Sequence, residues 1–152
     1  MMTRSTPFNE SRLPNTSKHS PLTVYCDATI DYETSLAAVG WALCNHNGKV
    51  LQKHGEQLGR NIDTNAAEVE GVKRIIRYLS NIDCVKHVHI YTDCNTVAEK
   101  VNTSYSRNTF EKLSISWIPR EQNVIADMVA EEIIRGKVFD PRSSAAPYGM
   151  TD

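Results

Sequence analysis

The chain has 152 residues, 40% of them hydrophobic, with 17 Lys plus Arg against 18 Asp plus Glu and a net charge of −1. That length suits one domain with a hydrophobic core and is short for two; the charge balance excludes the broad basic excess of a protein that grips nucleic acid by charge alone. No apolar run approaches the length that crosses a bilayer, and four cysteines without a CxxC pair point to reduced thiols in the cytoplasm rather than disulfides or a zinc site.

In chain order, residues 1–20 lack the apolar centre of a secretory signal and read as a disordered arm, though scattered Arg, Ser and Thr leave an organellar-targeting reading open. The folded domain is expected over residues 21–136. LTVYCD alternates and is rich in β-formers, SLAAVGWALC is a second strand-like run, and NHNG is a turn signal before KVLQKHGEQL, so residues 22–58 predict a three-strand meander. DTNAAEVEGVKRIIRYLS predicts a helix capped by Thr64 or Asp63, with Glu68, Val72, Ile75, Ile76 and Leu79 at helical spacing. A strand CVKHVHIYTD, a short helix CNTVAEKVN, a polar loop TSYSRN, a strand EKLSISWIP and a helix QNVIADMVAEEIIRG ending at Gly136 follow. The order βββαβαβα is an α/β pattern, and residues 137–152 read as a flexible tail.

Side chains alternate across a strand, so Tyr25 and Asp27 share one face, as do Tyr91 and Asp93. If the first and fourth strands are parallel neighbours, the two aspartates lie side by side at the carboxyl edge, where sites form in open α/β sheets. Glu68 falls on the apolar stripe of its helix, whereas Glu70 shares the opposite face with Lys73, Arg74 and Arg77 and can pair with Arg74. A buried carboxylate needs a cationic partner or a metal. Asp127, early in the last helix, is a fourth acid, favoured there by the helix amino end. Four acids from four elements repel one another unless divalent cations sit among them, and carboxylate oxygens suit Mg²⁺ or Mn²⁺. Two such ions can activate water and stabilise a leaving oxygen in phosphodiester cleavage.

YCDAT, TNAAEVEGV, YTDCNTV and WIPREQNVIADMVAEE, in this order, resemble the ribonuclease H family, type 1, and its shorter branch with a PREQN-type last motif, over residues 22–135. The resemblance implies a five-stranded mixed sheet of order 3-2-1-4-5 flanked by helices, in a compact version without the basic projection of larger members. It implies a metal-dependent endoribonuclease that cuts the RNA strand of RNA–DNA hybrids with two Mg²⁺ ions, leaving a 3′-hydroxyl and a 5′-phosphate. Asp27, Glu68, Asp93 and Asp127 match the metal-binding acids. Ala28, Thr29, Thr64, Asn65 and Asn123 match positions at or near substrate contacts, although this chain runs one residue shorter before Thr64; Arg120 is a further substrate-binding candidate, which with Glu121 stands where part of the role of a histidine found in many members could be taken over.

Two departures accompany it. No histidine lies between Trp117 and Asp127 to match the mobile histidine of many members, and residues 94–111 leave room for one helix and a loop only. Weak or metal-dependent affinity for hybrid follows, in a monomer without membrane attachment. Singly, Asp27 and Asp93 are ordinary strand-end turn residues, His87 and His89 pack in the strand, Cys26 and Cys94 are small buried fillers, Trp41 and Trp117 belong to the core, and Glu131 and Glu132 form a solvated helix face. Another nuclease of the same fold, of exonuclease or strand-transfer type, and a non-catalytic nucleic-acid-binding module are the competing functions.

Overall fold

The structure is a computed structural model, and it describes residues 21–100 and 110–136. The expected arm, the expected tail and the loop at 103–108 lie outside the described residues. Strand β1 (Leu22–Asp31) pairs antiparallel with β2 (Leu36–Cys44), and β2 pairs antiparallel with β3 (Val50–Arg60). The NHNG turn closes the second hairpin. Gly48 takes φ +85°, and Asn45 Oδ1 accepts the N–H groups of Asn47 and Lys49, both at 2.9 Å.

Helix α1 (Thr64–Ser80) crosses to β4 (His87–Thr92), which pairs parallel with β1; helix α2 (Asn95–Lys100) leads on towards β5 (Lys112–Trp117), parallel with β4. A 3₁₀ turn at Arg120–Gln122 precedes α3 (Val124–Ile134). The sheet order is β3-β2-β1-β4-β5, the mixed order expected. Among the described residues, no helix is long and apolar enough to cross a membrane.

Strand β2 lies inside the sheet, between β3 and β1, and has both faces covered, so it carries no polar alternation. Its large residues Val39, Trp41 and Leu43 join Leu22, Val24 and Cys26 of β1 against Val72, Ile75 and Leu79 of α1. Each such side chain stabilises the fold by roughly 1.5–3 kcal/mol on full burial. Ala38 lies on the other face, against Val129 and Ile133 of α3. There Gly40 lets the helix come close: a Cβ on it would strike Ala130 N and meet Ala126 O at 2.8 Å. Asp63, rather than Thr64, caps α1, its Oδ1 accepting Ala66 N–H at 2.8 Å.

On the α3 side, Tyr91 stacks on Tyr25 and on His89, with ring centroids 5.4 and 4.4 Å apart. His87 is buried with Nε2 3.3 Å from Glu111, so both histidines pack as expected. Trp117 does not. It is 48% exposed, because β5 is an edge strand and this residue ends it.

Candidate active site

The parallel register aligns Cys26 with Thr92, and Asp27 and Asp93 each lie one residue beyond that pair. Both carboxylates are therefore delivered to the same edge. The buried stripe of α1 faces the sheet, and Glu68 is its second buried residue. Its Oε1 accepts the Ala28 N–H at 3.2 Å, which ties the helix to β1 immediately after Asp27. Asp27, Glu68 and Asp93 each offer an oxygen within 4.8 Å of the others.

Asp27 is 7% exposed and Glu68 5%. Burial first, then the charges of Glu68 and Asp93 and the hydrogen bond and charge of Asp127, push the Asp27 carboxyl up to about 9. Burial and the charge of Asp93 push Glu68 up to about 7, against opposing contributions from a hydrogen bond with Asp27, the Ala28 N–H and the Arg120 guanidinium. Burial, then Glu68, Asp27 and Asp93, also push the Cys26 thiol well up, behind the site on the α1 face. Three oxygen donors that resist joint ionisation in a small volume are a donor set suited to a hard divalent cation.

The fourth acid comes from α3. Asp127 lies in the first turn, near enough to Asp27 to raise that carboxyl, although it is exposed and outside the group of three. Asn123 just before the helix is 1% exposed; its Nδ2 donates to the Cys26 carbonyl oxygen at 2.8 Å and to Asp93 Oδ2 at 3.2 Å. Both amide donors are thus committed inside the protein, behind the acids. One turn after Asp127, Glu131 accepts the Thr29 hydroxyl at 3.1 Å. This ties α3 to β1 a second time, through a residue that helical periodicity alone assigned to a solvated face.

The rim is formed by exposed residues. Thr64 and Asn65 open α1, and the Cys94 thiol, half-buried rather than fully buried, lies 3.8 Å from Asn65 Oδ1. The Cys94 N–H donates to Thr92 Oγ1 at 3.1 Å, shaping the turn after Asp93. Arg120 is exposed and close enough to Glu68 to favour its charged form.

The same fold is found in ribonuclease H1 from the halophilic archaeon Halobacterium salinarum, with a TM-score of 0.66 and 22% identity over 77% of this chain and 99% of that one. The N-terminal ribonuclease H domain of Rv2228c from Mycobacterium tuberculosis gives 0.65 and 17% over 76% and 94%. LC11-RNase H1, solved in complex with an RNA/DNA hybrid, gives 0.63 and 19% over 73% and 94%. The fold is thus that of the ribonuclease H class. Residues 25–109 match the reverse transcriptase-like family, and the chain belongs to that family of ribonuclease H-like proteins. No curated protein sequence matches it significantly.

Proposed function

We propose that the protein is an endoribonuclease that hydrolyses the RNA strand of RNA–DNA hybrids, with two Mg²⁺ ions held by Asp27, Glu68, Asp93 and Asp127, leaving 3′-hydroxyl and 5′-phosphate ends. The observation that carries this reading is the convergence of three carboxylates from β1, α1 and β4 within 4.8 Å, two of them buried. The ions, when bound, supply activation of the attacking water and neutralisation of charge on the leaving oxygen; Mn²⁺ suits the same donors.

The chain's own residues hold and orient. Glu68 is aimed by the Ala28 N–H, so the backbone after Asp27 and the helix acid move as a unit. The Thr29 hydroxyl, bonded to Glu131, keeps α3 beside β1 and Asp127 beside Asp27. Thr64, Asn65 and Cys94 present small polar groups suited to ribose hydroxyls in a minor groove, the feature that separates an RNA strand from DNA. Arg120 is placed to meet a phosphate. The hybrid held by LC11-RNase H1, a protein of the same fold, supports this substrate class. None of the four cysteines forms a disulfide, in keeping with a reducing cytoplasm.

The test is incubation of labelled RNA–DNA hybrid, duplex DNA and single strands with Mg²⁺ or Mn²⁺. Loss of the RNA strand alone is expected. Degradation from DNA ends would replace the proposal by an exonuclease, and inert substrates with retained binding by a non-catalytic module. Asp93→Asn is expected to abolish cleavage while the protein stays folded by circular dichroism; surviving activity would mean that the site is misassigned.

A further inference from the structure

Asn123 occupies the N-cap position of α3, its main-chain carbonyl accepting the Asp127 N–H at 3.2 Å. Asparagine is favoured there because its side-chain oxygen can accept an N–H of the first turn. This side chain makes no such bond. Instead Nδ2 donates to the Cys26 carbonyl oxygen and to Asp93 Oδ2, while Oδ1 is buried without a partner. The flipped amide would aim Oδ1 at two acceptors, so the chemistry fixes Nδ2 as the inward donor. A residue kept for capping would satisfy Oδ1, and one kept for packing would bring no polar atoms into a buried place. Neither describes Asn123.

We infer that Asn123 is the positioning residue of the acid site, an inference that rests on the divalent-ion reading above. Donation to Asp93 Oδ2 fixes the rotation of that carboxylate and leaves its other oxygen for a cation. Donation to the Cys26 carbonyl holds the start of α3, and with it Asp127, against the strand that carries Asp27. A single amide thereby sets the spacing of acids from β1, β4 and α3.

Two variants of the full chain test this: Asn123→Leu, which keeps the branched shape without the polar atoms, and Asn123→Ser, which keeps a hydroxyl at the cap. Mn²⁺ binding is measured by calorimetry without nucleic acid, melting is followed in chelator, and hybrid cleavage is measured at steady state. Metal affinity is expected to fall by about 10-fold or more, as when outer contacts of metal ligands are removed, and kcat to fall with KM unchanged. If the leucine variant does not fold, the serine variant decides. A folded variant that melts lower in chelator but binds Mn²⁺ within twofold of the parent, or whose loss lies wholly in KM, would reduce Asn123 to a structural residue. Failure of the parent protein to cleave hybrid leaves the metal readout standing, so the two readings fail separately. A parent protein that binds no divalent ion overturns both.

Discussion

Burial and mutual repulsion keep protons on Asp27 and Glu68, at about 9 and about 7, well above the pH at which free carboxyls lose them. Between roughly pH 4, where such groups ionise in an unfolded chain, and those raised values, the folded protein binds more protons than the unfolded one. The stability these groups contribute is therefore full at low pH and is lost as pH rises through 7 to 9. Melting of the metal-free protein is expected to fall from pH 5 to pH 9. Asp27→Asn should melt above the parent at pH 8 and converge with it towards pH 4, as scanning calorimetry in chelator would record; a flat parent curve would contradict the electrostatics. These acids were legible because Asp27 and Asp93 follow the two-residue period of strands and Glu68 the apolar stripe of a helix. Asn123 was not legible as a positioning group. Its sequence position offers a cap, and only the tertiary approach of Asp93 and Cys26 gives its amide other partners.

At the scale of elements, α3 is the part whose placement matters most, since it brings Asp127 to an edge built by β1 and β4. Gly40 and the small residues around it let that helix lie close, and a methyl group there would strike backbone atoms of Ala126 and Ala130. Gly40→Ala is expected to cost on the order of 1–3 kcal/mol or more, the range for overpacked sites, because backbone cannot step aside. Gly71→Ala should cost less, since its nearest neighbour is the Val39 side chain at 2.7 Å. Urea unfolding of the two variants gives the comparison, and equal losses would show that α3 is free to shift. Strand and helix order could be read from periodicity, but the start of α3 could not. Arg120–Gln122 tighten into a 3₁₀ turn after Pro119, so the helix begins at Val124 rather than Gln122.

Across the whole molecule, charge sets how a polyanion could be held. Residues 21–135 carry 12 basic residues and 15 acids. Arg74 is occupied at 3.0 Å by both Glu56 and Glu70, and Arg120 lies beside Glu68. If a hybrid binds at the carboxyl edge as proposed, it meets the exposed Arg120 beside largely buried acids, and ions held by those acids would supply much of the remaining attraction. Each phosphate neutralised by a protein cation steepens the fall of log affinity with log salt by about 0.9 on B-DNA, so few such contacts give a shallow slope. For a hybrid made non-hydrolysable in its RNA backbone, affinity by fluorescence anisotropy is expected to be weak in chelator and to rise with Mg²⁺, with a shallow dependence on monovalent salt in both conditions. Tight binding in chelator with a steep salt slope would mean that a basic surface grips the hybrid without the acids, and that the metal serves the chemistry alone.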